Sequence, residues 1–221
     1  MADDVVDQAS GAGTSLTPGP QPSAMNITDI AAEGDVIFKL QLTRLRVSSV
    51  ILASASPVFK AMLGRNFLEG HGVRSAQYPK EIPLPEDDSM AMARLCSWFH
   101  HKEAPDGVEC LNLSTVCGAE GFFAIAGLAD KYGCMAFFKA MSAPLLTNFA
   151  HIPGTKSAPI EAMMHLIAAS FIMDDSRQFH RLTRYLVMDY GTAYSEQLQH
   201  AALASLPSSF LRETPSNHEQ G

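Results

Sequence analysis

Tryptophan occurs once in the 221 residues and cysteine four times, and charged side chains make up only 18%. Each scarcity excludes something. Cys96, Cys110, Cys117 and Cys134 stand at wide, unpatterned spacings, which fit neither a disulfide frame nor the paired Cys/His spacing of a zinc-bound finger. Cys96 and Cys134 fall inside helical patterns and read as reduced core residues, so no metal and no cofactor are expected. Lys and Arg are missing from the first 38 residues, which carry six acids, Asp3, Asp4, Asp7, Asp29, Glu33 and Asp35. Residues 39 to 221 hold 16 basic and 17 acidic side chains, so the net charge of -7 belongs mostly to the N-terminal part. A near-neutral body without an obvious basic stripe argues against direct nucleic-acid binding. Long apolar runs are missing too: Ala162 to Met173 is shorter than the roughly 20 residues of a bilayer span and contains His165, so no membrane segment is expected. Asp3-Asp4 stands where a secretory leader needs positive charge, and the expectation is an intracellular protein.

What remains is ample for a core, since 47% of the residues are hydrophobic. Residues 9 to 24, "ASGAGTSLTPGPQPSA", cannot bury enough apolar surface to offset their ordering entropy, and 1–24 reads as a disordered acidic tail. Order is expected from Ile27, first as a short helical turn capped by Asn26 or Thr28. Val36, Phe38, Leu40 and Leu42 then alternate with Ile37, Lys39 and Gln41, the period of a half-buried strand, with residues 44–47 as its hairpin partner. In "SSVILASASPVFKAMLGRNFLEG", Ser49 is expected to cap one short helix, and Ser56 followed by Pro57 starts another that Gly64 stops. After a polar loop, "EIPLP" reads as a strand, and Glu86-Asp87-Asp88 supply the negative start of a helix whose Met92, Leu95, Cys96 and Phe99 share a face. Phe122, Ile125, Ala126 and Ala129 align on the next helix, which ends at Gly133; another runs from Met135 to Leu146. Beyond a joint at 147–158 the pattern is helical, with Ile160, Met163, Met164, Ile167 and Phe171 on one face, then Phe179, Leu182, Leu186 and Tyr190. The methionines in these stripes read as core-filling thioethers.

No catalytic set emerges. A serine nucleophile needs a base in reach and a strained turn such as G-x-S-x-G, and Ser48, Ser49, Ser54 and Ser56 sit in no such frame. His100-His101 are adjacent on a helix and point about 100 degrees apart, a poor geometry for sharing an ion. Asp174-Asp175 reads as a helix cap, and no Gly-rich phosphate loop follows a strand. No small-molecule substrate is indicated.

The order "GDVIFKLQL", "VILASASPVFKAML", "FLEG", "EIPLP", "SMAMARLCSWFHHK" and "FFAIAGLADKYGCMAFFKAMSAPLL" resembles a BTB/POZ domain over 27–147, most strongly at Asp35-Val36, at Leu52 with Ser56-Pro57-Val58-Phe59, and at "LADKYGC". "WFHHKEAP" and the tail "FIMDDSRQFHRLTRYLVMDY" are similar to the BTB proteins of filamentous fungi. The resemblance implies an α+β fold, a small mixed sheet flanked by a cluster of short helices, followed by a helical extension over 159–211 and a frayed tail at 212–221. It implies a non-enzymatic protein-interaction module. Phe67-Leu68-Glu69 lines up with the apolar-any-Glu motif by which family adaptors engage cullin scaffolds of ubiquitin ligases, giving Phe67 and Glu69 as partner-binding residues. The alternative it implies is a scaffold or transcription-linked protein that forms homo- or hetero-dimers with BTB domains. Asp35 occupies the family's charged-pocket position, but Ser48-Ser49 stands where members usually carry His followed by Lys or Arg. That departure counts against corepressor binding, and the Gly/Pro-rich segment before Met25 counts against an exchanged N-terminal strand.

Overall fold

The computed structural model describes residues 27–101, 112–150 and 158–190, without the side chains of 147–150 and 189–190. The expected tail at 1–24, Cys110, most of the joint, the extension beyond 190 and the frayed end lie outside the described residues.

Four short strands, β1 (Ile27–Asp29), β2 (Val36–Lys39), β3 (Arg44–Val47) and β4 (Lys80–Pro83), form one mixed sheet in the order β1-β3-β2-β4. β1 lies parallel to β3, β2 antiparallel to β3 with Phe38 opposite Leu45, and β2 parallel to β4 with Phe38 opposite Ile82. Two expectations are corrected here. Ile27 begins an edge strand and not a helical turn, because its β-branched stretch finds ladder partners in Arg44 to Arg46. Leu42, expected on the buried face of a longer strand, is exposed, because Leu40 donates to the Thr43 carbonyl at 3.0 Å and closes a tight turn that swings it outward. β2 itself is central and buried on both faces, Ile37 included, so alternation is weaker than its sequence implies.

Helices α1 (Ser49–Ala55) and α2 (Pro57–Met62) follow β3 and meet at Ser56. The Ser56 hydroxyl accepts from the Phe59 amide at 3.0 Å and donates to the Tyr132 carbonyl at 2.6 Å, so one cap also fastens the corner to a distant helix end. α3 (Ser89–Phe99), capped by Asp88, buries Met92, Leu95, Cys96 and Phe99 as their spacing requires. α4 (Val116–Lys131) ends where expected: Gly133 takes φ +63, and the amides of Gly133 and Cys134 return to the carbonyls of Asp130 and Ala129. Only glycine adopts that conformation cheaply.

α5 (Met135–Ala150), α6 (Ile160–Ile172) and α7 (Ser176–Tyr190) complete the chain. α6 is buried without interruption from Ala162 to Ser170, the behaviour of a helix that is hydrophobic all round. Its Met163, Met164 and Ile167 join the same apolar cluster as Phe38, Phe59 and Phe122. Phe171, expected on the buried face, is partly exposed and packs against Phe179 at 6.2 Å. The methionines divide: Met92, Met163 and Met164 fill the core, while Met90 and Met141 reach solvent.

Candidate protein-interaction site

The loop between α2 and β4 carries Phe67-Leu68-Glu69, and its backbone is tied down at many points. Leu68 to Gly70 form one 3-10 turn, closed by the Gly70 amide on the Phe67 carbonyl at 3.0 Å and the His71 amide on the Leu68 carbonyl at 3.2 Å. A side chain at Gly70 would collide with the Gly64 carbonyl, so the turn needs glycine to fold back this closely. The Lys80 ammonium at the start of β4 donates to the carbonyls of Leu68 and His71, both at 2.6 Å. The His71 Nε2–H donates to the Arg65 carbonyl at 2.6 Å.

On this support Phe67 is 50% exposed and Leu68 80%. Glu69 is half-buried and joins no ion pair among the described residues. Val73 and Tyr78, further along the same loop, are also exposed. Four large apolar side chains in one short exposed segment are more than scattered surface residues require.

Asp35 immediately precedes β2 and reaches this loop through Arg74. Its carboxylate accepts from the Ser49 amide at 2.8 Å and the Ser49 hydroxyl at 2.6 Å, and it pairs with the Arg74 guanidinium at 3.1 Å. Arg74 in turn donates to the Leu63 carbonyl at 3.2 Å, where the loop leaves α2. Partial burial pushes the Asp35 carboxyl upward, but the Ser49 hydrogen bonds and the Arg74 charge outweigh it and hold the group below the usual carboxylate range. Ser49 is thus not a helix cap, as its position suggested: the N-cap is Ser48, whose side chain makes no capping bond, and the hydroxyl of Ser49 goes to Asp35.

Asp35, Ser49 and a histidine do converge, yet not as a nucleophilic set. The Ser48 amide donates to His100 Nε2 at 3.0 Å, and His100 Nδ1–H donates to the Cys96 carbonyl at 2.7 Å, which engages both ring nitrogens with backbone. The Ser49 hydroxyl points at a carboxylate, Ser54 at the Ile51 carbonyl and Ser56 at the Tyr132 carbonyl. None of these three hydroxyls donates to an imidazole, so none is activated for attack. Among the described residues, no group of three His, Cys, Asp or Glu could hold a metal ion, and no helix is long and apolar enough to cross a membrane.

The sequence model of one family, the BTB/POZ domain, matches residues 31–142, just over half of the chain. The chain belongs to the BTB/POZ family. No curated protein matches it. BTB/POZ domains are protein-interaction modules, and the fold fits: a small mixed sheet with clustered helices, and more helices after it. In this BTB domain the cation that meets Asp35 comes from Arg74, in a loop far along the chain, and Ser49 after β3 adds a hydroxyl. Neither Arg74 nor Lys80 was legible as a site residue, since each is a lone cation in a polar loop whose partner is set by packing. A second aspartate was misread. Asp87, expected only to complement a helix dipole, is buried and accepts from Lys131 at 2.6 Å and from the Tyr132 hydroxyl.

Proposed function

We propose that this BTB protein is an adaptor or regulator in a cullin-based ubiquitin ligase, with Phe67 and Glu69 as the residues that meet the scaffold. The supporting observation is the exposed Phe67 on a turn pinned by Lys80, with Glu69, in no ion pair among the described residues, two residues on. An aromatic anchor entering a partner pocket, with a carboxylate setting orientation at the rim, is how a compact hot spot works. Such a turn loses little conformational freedom on binding, which favours affinity. The work is intracellular, and the helical extension after the BTB domain recruits the client or a larger BTB partner. A pull-down with a purified cullin N-terminal domain tests this: the wild type is retained and Phe67→Ala with Glu69→Ala is not. Failure of the wild type to bind, or equal binding by the folded double variant, overturns it.

A second reading, a scaffold that pairs with BTB domains without a cullin, draws support from Val50 and Val58, which are exposed on α1 and α2. Light scattering discriminates: a monomer that persists at all concentrations excludes pairing with itself.

A further inference from the structure

α7 carries a surface that the BTB function does not absorb. Leu182 and Leu186 turn inward, and the opposite face shows Arg177, His180, Arg181 and Arg184, all exposed. The spacing of four and three residues lines up the arginines on one side of the helix. The body of the chain thus does hold a basic stripe, which helix formation creates from residues that look scattered in the sequence. Met188, Val187 and Tyr185 are exposed beside it. No ion pair among the described residues engages these arginines. Asp175, at the start of the same helix, spends one carboxylate oxygen on the Gln178 amide at 3.0 Å. Partial burial and the like charge of Arg177 hold the Arg181 guanidinium below the usual arginine range, with the charge of Asp175 opposing them only in part.

We propose that the acidic N-terminal segment of the same chain, Asp3-Asp4-Val5-Val6-Asp7, docks on this face of α7. Charge complementarity is specific to that segment: the first 38 residues hold six acids and no Lys or Arg, whereas the remainder is close to neutral. Three aspartates match three arginines, and Val5-Val6 offer apolar contact to the exposed Val187 and Met188 that border the stripe. Reach is sufficient. The chain between Asp7 and Ile27 has a contour of up to about 65 Å, well beyond the ~15 Å radius of gyration expected for a folded body of this size. Tethering raises the local concentration of the segment to about the millimolar range, so a weak, salt-sensitive contact suffices. The docked segment withholds the arginines from other acidic partners and yields to one that binds more tightly.

The test uses the full chain. A nitroxide is placed on Ser10→Cys in a background of Cys110→Ser and Cys117→Ser; Cys96 and Cys134 are buried and escape labelling. Backbone amide resonances of residues 177–188 are expected to be lost at ~0.01 M salt and recovered at ~1 M, as the Debye length falls from ~30 to ~3 Å. The joint replacement Asp3→Asn, Asp4→Asn and Asp7→Asn, or Arg177→Gln with Arg181→Gln, restores them at low salt, while amides elsewhere confirm the fold. Full intensity at low salt overturns the proposal. So does a loss that survives the three Asn replacements, or one that arises only from a nitroxide on a second, unlabelled copy. If a short DNA duplex binds the wild type through these arginines as tightly as it binds the triple Asn variant, the face is open to nucleic acid and the proposal also falls.

Discussion

Two clusters in this protein are built from the same three groups, an aspartate, a cation and a hydroxyl, yet they have different consequences. Asp87 takes Lys131 and the Tyr132 hydroxyl; Asp35 takes Arg74 and the Ser49 hydroxyl. The Asp87 side chain is 1% exposed and that of Asp35 23%. In the first cluster Tyr132 stacks on Phe59 at 4.2 Å, and Phe59 on Phe38 at 5.4 Å, so the hydrogen bond is continuous with the core. In the second, the groups tie down a loop that water can still reach. A buried carboxylate cannot fall back on water when its partner is removed, whereas a partly exposed one can. The Asp87 cluster therefore holds the fold together, and the Asp35 cluster holds one surface in shape.

The sharpest way to break the comparison is to remove each acid. Asp87→Ala strands the Tyr132 hydroxyl and is expected to cost about 2–4 kcal/mol of unfolding free energy in urea titrations. A loss below about 1 kcal/mol would place Asp87 with the surface cluster. Alkali probes the same cluster. Burial first, and the Asp87 hydrogen bond second, push the Tyr132 phenol well above its usual range. The unfolded chain releases that proton near pH 10 and the folded one does not. Stability contributed by Tyr132 is thus full below about pH 10 and falls above it by at most ~1.4 kcal/mol per pH unit, an effect that Tyr132→Phe removes.

Arg74→Gln and Lys80→Gln are expected to change global stability by no more than about 1 kcal/mol, since both cations are partly exposed. Their effect is local: hydrogen exchange at the amides of Gly70 and His71, which close the 3-10 turn, speeds up, and Lys80→Arg restores protection. Unchanged exchange in both variants would remove Arg74 and Lys80 from the account of the turn. The smallest effect is at acid. Asp35 is held below the ordinary carboxylate range, so its contribution is present above about pH 4 and is lost as pH falls through the folded value. The stability difference between wild type and Asp35→Asn should shrink below about pH 4; a difference that grows there would reverse the assignment.

Reading the sequence alone captured what short-range rules govern. Ser56-Pro57 starts α2, Asp175 caps α7 by accepting from the Gln178 amide, and Gly133 ends α4, because each depends on geometry within a few positions. The strand at Ile27 was missed, since three residues carry no usable period and only the edge of β3 makes them a strand. Phe67 and Glu69 were readable as residue types in a motif, but the exposure of the aromatic ring was not.

By itself, then, the sequence determined the helices, the caps of α2 and α7, the buried stripes of α3 and α4, and the BTB/POZ class, all of which follow from residue spacing along one chain. Only the tertiary structure decided that Ser49 serves Asp35 and not a helix end, that Arg74 is the cation paired with Asp35, and that Lys80 holds the turn bearing Phe67. Those partners stand 14, 39 and 12 positions from the groups they serve, counting Lys80 to the Leu68 carbonyl. At such separations charge and hydrogen-bonding capacity name the candidates, and the packing of β4 and its loop against the sheet selects among them.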